Sequence, residues 1–231
     1  MDQRQLRNVT SIHSARAQRS IVEENTVLRN TYLLLGMSLL CTASTAFLYL
    51  LYPTPPNLLF SVLGMYGLLF LVHANAHNGF GLLATFAFTG FMGYHLGPLL
   101  HMALYGFSNG PLLVATTAMC TGTIFVGLSA YVAVTKQNLS YLGGTLFSML
   151  LGGIMLSLAG LFFQIPLLIL MIDALFILVF SGLIMYHTSE IINGGETNYI
   201  LATISLYLAL YNLFVSLLRI MMMFGGQHNR D

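Results

Sequence analysis

The chain has 231 residues, of which 57% are hydrophobic and only 6% charged, and its formal net charge is +1. Soluble domains carry about 25% charged residues, so a water-soluble enzyme is excluded, and the near-neutral balance excludes a nucleic-acid binder, which needs a basic patch. Residues 30–135 contain no Asp, Glu, Lys or Arg. A spanning helix takes roughly 20 apolar residues, so that stretch alone holds four spans.

Residues 1–30 read as a polar tail. They lack the apolar core of a secretory signal peptide, so the first hydrophobic segment reads as a retained span. The tail carries Arg4, Arg7, Arg16, Arg19 and Arg29 beside three acidic residues. Leu6, Val9, Ile12 and Ala15 recur every three residues, too narrow a stripe to specify an amphipathic helix. Two compatible readings remain: a disordered tail held near anionic lipid by its arginines, or a flexible handle for a cytoplasmic partner.

Seven helices follow, predicted over Thr31–Leu51, Leu58–Ala76, Phe80–Leu104, Leu112–Val134, Tyr141–Phe163, Leu167–Thr188 and Asn198–Phe224. Turn chemistry separates them: Pro53-Thr54-Pro55-Pro56, His77-Asn78-Gly79, Ser108-Asn109-Gly110-Pro111, Lys136-Gln137-Asn138, Gln164-Ile165-Pro166 and Asn193-Gly194-Gly195. The apolar runs are continuous, which excludes a β-barrel. The fold class is therefore an all-α membrane protein, with a seven-helix bundle over residues 31–224 and a short outer tail over 225–231. The tail arginines and Lys136 fall on one side, and the opposite loops have no Lys or Arg. The positive-inside rule then puts the N-terminus in the cytoplasm and the C-terminus outside. Tyr32, Tyr49, Tyr52, Tyr105, Tyr131, Tyr141, Tyr186 and Tyr199 near the span ends read as an interfacial belt. Cys41 and Cys120 lie in apolar segments, where a structural disulfide is not expected.

The third helix steps through Thr89, Gly93 and Gly97 to Pro98, and the fifth through Gly153, Ser157 and Gly160; both are small-residue contact faces, for internal packing or for dimerisation. In the seventh helix Asn198, Ala202, Ser205, Ala209, Asn212, Ser216 and Arg219 alternate steps of four and three, and every member but Arg219 is small or uncharged polar. Such a seam suits neighbouring helices rather than lipid, which predicts a seventh helix enclosed by the other six. The seam is a packing face or a polar conduit.

Asp173 is the one acidic residue clearly inside a span, at a depth similar to that of Arg219. An intramembrane carboxylate is a functional-site hypothesis by default. The pair reads as an ion pair, as a protonated Asp173, or as a relay. His73 and His77 stand one helical turn apart, on the same side as His187, Glu190 and Glu196. The group reads as polar residues in a wet interface, or as a cluster that binds a cation or senses pH near the ordinary histidine pKa of about 6.5. Two histidines are too few for a metal site, and no cofactor is expected. His95 and His101 read as interfacial. The only lysine, Lys136, lies in a loop, which excludes a retinal Schiff base. A single intramembrane carboxylate excludes an aspartyl protease, and no nucleophile elbow is present. A non-enzymatic membrane protein is the expectation.

The run Phe86–Leu100, with Gly93-x-x-x-Gly97-Pro98, resembles the signature of the Bax inhibitor-1 (transmembrane Bax inhibitor motif) family. Gly194-Gly195-Glu196-Thr197-Asn198-Tyr199-Ile200 and the run Tyr211–Leu218, with Asn30–Leu35 and Gly64–Phe70, resemble its bacterial YccA-like branch. The resemblance implies seven helices with the last one central, residence in a bacterial inner membrane, and a cytoplasmic N-terminus gripped by the membrane AAA protease FtsH. It further implies modulation of that protease towards substrates such as the translocon subunit SecY. Other members are pH-sensitive calcium leaks that use two aspartates; the matching positions here are His187 and Ala209. Neither supplies the oxygen ligands that calcium prefers. A pH-sensitive calcium or proton leak is the alternative function.

Overall fold

A computed structural model describes residues 3–55, 57–163 and 165–225, with side chains from residue 26 onward apart from 58, 161, 162 and 166. Pro56 and Gln164 of the expected turns, the side chains of the tail arginines Arg4, Arg7, Arg16 and Arg19 and of the Leu6–Ala15 stripe, and residues 226–231 of the expected outer tail lie outside that description. The described chain is helical: α1 (Gln3–Leu51), α2 (Leu58–Ala74), α3 (Phe80–Gly106), α4 (Gly110–Thr135), α5 (Leu142–Phe163), α6 (Pro166–Ile192) and α7 (Tyr199–Gly225). The boundaries between α1 and α7 fall within a few residues of those expected.

The largest departure is at the start. The helix passes through the expected boundary at residue 30 and runs back to Gln3, 49 residues in all, or about 73 Å at 1.5 Å per residue. Five helical segments are long and apolar enough to cross a membrane: Thr26–Leu51 of α1, together with α4, the Leu142–Gly160 part of α5, Leu167–Ile192 of α6, and α7. The remaining two are α2, at 17 residues the shortest of the seven, and α3, with 27 residues.

Each helix end follows from local chemistry. Asn57 caps α2, its side chain accepting from the amide of Phe60 at 3.2 Å. Pro111 occupies the first turn of α4, where a missing N–H costs nothing. Lys136 closes α4 in the left-handed region, at φ 49°. Pro98 lies inside α3. Hydroxyls within the apolar helices bond back to carbonyls one turn earlier, as Thr117 does to Leu113 and Thr121 to Thr117. Those bonds hide polar atoms that a hydrocarbon surrounding cannot satisfy.

Large apolar side chains cover the outside: Leu40, Phe70, Met119 and Leu178 are each 68–74% exposed. Such a surface would drive aggregation in water and is ordinary in lipid. At the helix ends Tyr52, Tyr105, Tyr131 and Tyr141 are exposed, as an interfacial belt requires. Tyr49 is not part of that belt. It is buried against Gly97, and its hydroxyl donates to the Thr54 carbonyl at 3.1 Å.

The core forms around α7. In its apolar stretch 56% of residues are buried, against 11–33% in the other four long apolar segments. It packs against α1, α2, α3, α4 and α6; α5 packs only against α6 among the described residues. Packing of α7 against six neighbours is expected, but it packs against five, because the Gly153 face of α5 closes on Phe176 of α6 instead. The most intimate contact is that of α1 with α3. Gly93 meets the backbone at Thr42, and Gly97 lies under Tyr49, so the small-residue face of α3 is an internal packing surface.

Candidate functional site

Because α5 leans on α6 and leaves α7, a cavity of about 1060 Å³ opens between the three helices. Leu150, Ile154 and Leu158 of α5 and Ile172 and Phe176 of α6 form apolar walls. The α7 wall is the more polar one, presenting Ser205, Asn212 and Arg219 with Ala209 between them. The alternating four-and-three spacing therefore marks the face of α7 turned toward a cavity, rather than one continuous helix–helix seam. Ala202, Ala209 and Ser216 are buried, while Ser205 and Asn212 are half-buried.

At one end of the cavity Asp173 and Arg219 meet, with an Nη atom 3.5 Å from Oδ1. The two side chains differ in exposure: that of Asp173 is 2% exposed, that of Arg219 51%. Neither carboxylate oxygen accepts a hydrogen bond from a described residue. The guanidinium is a fork of five N–H donors, and Arg219 reaches outward along its own aliphatic stem.

At the other end Tyr186, His187 and Ser205 line this cavity and also a smaller one of about 190 Å³, whose walls include Glu190, Gly195 and Glu196. The expected His/Glu cluster is thus only partly assembled. His187, Glu190 and Glu196 share a cavity. His77 joins them through Asn198, whose Nδ2 stands 3.3 Å from the His77 Nδ1. His73 does not join; its Nδ1 faces the Leu69 carbonyl of its own helix at 2.9 Å. Among the described residues no three His, Cys, Asp or Glu side chains converge as metal ligands. His95 is half-buried in α3 and packs edge-on against Phe91.

The turn between α6 and α7 explains the Gly194-Gly195-Glu196-x-Asn198 run. Gly194 takes φ 73°, a left-handed backbone that L side chains resist. Gly195 sits against the Glu190 carboxylate, which a Cβ there would push aside. The amides of Gly195 and Glu196 donate to the Glu190 carbonyl at 2.8 and 3.1 Å. The Glu190 side chain accepts from the Ser140 hydroxyl in the α4–α5 connection. Glu196 Oε1 accepts from the Asn198 amide at 2.8 Å. Asn198 caps α7, its Oδ1 accepting from Ile200 at 2.9 Å and Leu201 at 3.3 Å, while its Nδ2 donates to the Ala76 carbonyl just past α2 at 2.9 Å. This residue, the first member of the expected seam, is a helix cap and an inter-helix tie. Asn198→Ala is expected to lower stability by about 1 kcal/mol, the usual loss of an N-cap. The apparent melting temperature in detergent micelles reads the change, and an unchanged value would contradict the assignment.

One polar group inside the core was not visible in the sequence. Thr42 of α1 bonds the Ser38 and Thr89 carbonyls, both at 2.9 Å, and the Tyr207 hydroxyl at 2.8 Å. Tyr211 reaches the Met92 carbonyl at 3.3 Å. These bonds clasp α1, α3 and α7 together. Thr42 is one of four hydroxyl residues in 38–45, with Ser38, Ser44 and Thr45, and its α7 partner is 165 residues away, so the sequence does not single it out.

A family model described as inhibitor of apoptosis-promoting Bax1 matches residues 24–226. The chain belongs to the Bax inhibitor family. An uncharacterized protein of Pseudomonas aeruginosa is 47% identical over 208 residues, covering 88% of this chain and 92% of that one. A protein of Escherichia coli K12 named modulator of FtsH protease YccA is 44% identical over 216 residues, covering 91% and 95%. A protein of Escherichia coli O6:H1, also 44% identical over 216 residues, is named inner membrane protein YccA. An uncharacterized membrane protein of Vibrio cholerae is 42% identical over 212 residues, covering 91% and 93%. Together with the exposed apolar exterior, these relatives make this Bax inhibitor family member a multi-pass protein of the inner membrane. The span matched by the family model, residues 24–226, contains Gly93, Gly97, Pro98 and the Gly194–Asn198 turn.

Proposed function

We propose that this Bax inhibitor family member is a non-enzymatic modulator of the membrane AAA protease FtsH. It acts as a slow, competing client, and by occupying the protease it prolongs the life of membrane substrates such as SecY. The observation that carries this reading is the 44% identity, over nearly the whole of both chains, to a relative named for that role. In this reading all seven helices cross the inner membrane, with the arginine-bearing N-terminus in the cytoplasm and the C-terminus in the periplasm, an orientation the distribution of Arg and Lys supports. At 17 residues α2 reaches about 25 Å, enough with modest thinning of the bilayer; α3 has 27 residues and no Asp, Glu, Lys or Arg.

The packing supports the slow-client part. A protease that pulls from the N-terminus loads α1 first. That helix is locked to α3 at Gly93 and tied to α7 through Thr42 and Tyr207, so extraction meets its main resistance at once. The cation-leak alternative has less behind it: Asp173 is engaged by Arg219, at the opposite end of the cavity from His187 and Glu190.

A pulse-chase of SecY in translocon-jammed cells tests the reading. The intact protein, overexpressed, is expected to slow SecY loss several-fold, and a version lacking residues 2–20 to leave it unchanged. Equal SecY lifetimes with the intact protein and with none, given normal membrane insertion, would overturn the reading.

A further inference from the structure

The cavity between α5, α6 and α7 is unlike the rest of the interior. It is large, its α5 and α6 walls are apolar, and it ends at a buried carboxylate whose two oxygens accept no hydrogen bond from a described residue. We infer that it is a binding site for one phospholipid with a primary-ammonium headgroup, an acyl chain lying between α5 and α7 and the headgroup on Asp173 and Arg219. The inference rests on α6 and α7 crossing the bilayer, and it is independent of the protease reading.

The setting selects the occupant first: the cavity lies between helices that cross the bilayer. A single chain of a lipid fits. Where α5 stands away from α7, the neighbouring medium in a membrane is acyl chains.

Depth comes next. Each of α6 and α7 has 27 residues, about 40 Å, and so overshoots a hydrocarbon core of about 30 Å by about 5 Å at each end. Asp173 lies seven residues after Pro166, and Arg219 six before Gly225, about 10 Å in. The pair therefore sits only about 5 Å below the headgroup boundary. Arg219, half exposed, reaches back toward it.

Charge selects the headgroup. The Asp173–Arg219 pair is net neutral; the guanidinium fork has donors to spare, and the carboxylate, beside Arg219 at 3.5 Å and Ser216, has acceptor sites to spare. A phosphate satisfies the first by charge-assisted hydrogen bonds, and a primary ammonium satisfies the second. A trimethylammonium headgroup brings the charge without a donor. A glycerol headgroup leaves the carboxylate facing a net anion.

The test uses the full-length protein in nanodiscs of equal parts phosphatidylethanolamine, phosphatidylcholine and phosphatidylglycerol. Native mass spectrometry after extraction identifies the retained lipid. One phosphatidylethanolamine per protein, at least fivefold over either competitor, is expected. Asp173→Asn and Arg219→Gln are each expected to bring the ratio near one, and Ser157→Phe, which fills the cavity from α5, to remove the retained lipid altogether. Equal retention of the three lipids by the unaltered protein would overturn the inference. So would a photoactivatable side chain at position 157 that labels a polypeptide instead of a lipid. Neither of these two results depends on a substituted protein folding without its ion pair.

Discussion

Gly93→Leu is expected to cost about 3 kcal/mol or more and to deplete the folded protein from the membrane. A Cβ at this position overlaps the Thr42 carbonyl oxygen and the Thr45 hydroxyl, and would stand 2.7 Å from the Thr42 Cα. Two of those atoms are backbone in the middle of α1, so no rotamer change relieves them; the whole helix must move. Ordinary overpacking in a core costs about 1–3 kcal/mol, and this case lies at or above that range because the obstacle is backbone. Membrane helices associate through close packing rather than through exclusion of water, so separating α1 from α3 forfeits much of what holds the bundle. Gly90→Ala is the matched control, three residues earlier on α3. A Cβ there meets Cys41 Sγ and Thr45 Cγ2 at 3.4 Å, which is ordinary contact, and Ala favours a helix over Gly by up to about 1 kcal/mol. Apparent melting temperatures in micelles should fall sharply for Gly93→Leu and stay level or rise for Gly90→Ala. Equal temperatures for the two would contradict the α1–α3 contact.

Tyr207→Ala should be nearly as damaging, and Tyr207→Phe mild. Tyr207 is fully buried, packs edge-on against Phe88 with ring centroids 6.1 Å apart, and shares a hydrogen bond with Thr42. Truncation to Ala leaves an aromatic-sized cavity, worth about 3–5 kcal/mol. Removal of the hydroxyl alone leaves Thr42 with the Ser38 and Thr89 carbonyls, so the cost is about 1 kcal/mol, a typical net hydrogen bond. The same order should appear in function. A bundle that unravels easily is a fast client, so Tyr207→Ala should be degraded quickly and protect SecY poorly, while Tyr207→Phe stays close to the unaltered protein. Pulse-chase of the variants themselves reads both effects.

The seven helices were legible because each is a continuous apolar run between turn residues, and neither signal needs tertiary information. The N-terminal half of α1 was not, since its narrow three-residue stripe fits no helical face and no apolar run marks it. The proximity of Asp173 to Arg219 could be counted from the two helix ends. The four-and-three spacing on α7 was also visible, but its cause was mixed: Asn198 caps the helix, Ala202 is packed, and Ser205 and Asn212 face the cavity. Spacing reports which residues share a face and is silent on what that face meets. Tyr49 shows the same limit, since a tyrosine at a span end reads as interfacial until Gly97 is seen beside it. The cavity itself depends on α5 choosing α6 over α7, and the small residues of α5 do not name their partner.

The central claim is that this chain slows a membrane AAA protease by occupying it. The most direct measurement is degradation of a purified membrane substrate by purified FtsH in proteoliposomes, with this protein co-reconstituted at rising ratio to the protease. The account predicts that substrate loss slows in proportion to the ratio, while this protein is itself consumed more slowly than the substrate. Substrate loss at the same rate at every ratio, with the protein correctly inserted, would contradict it.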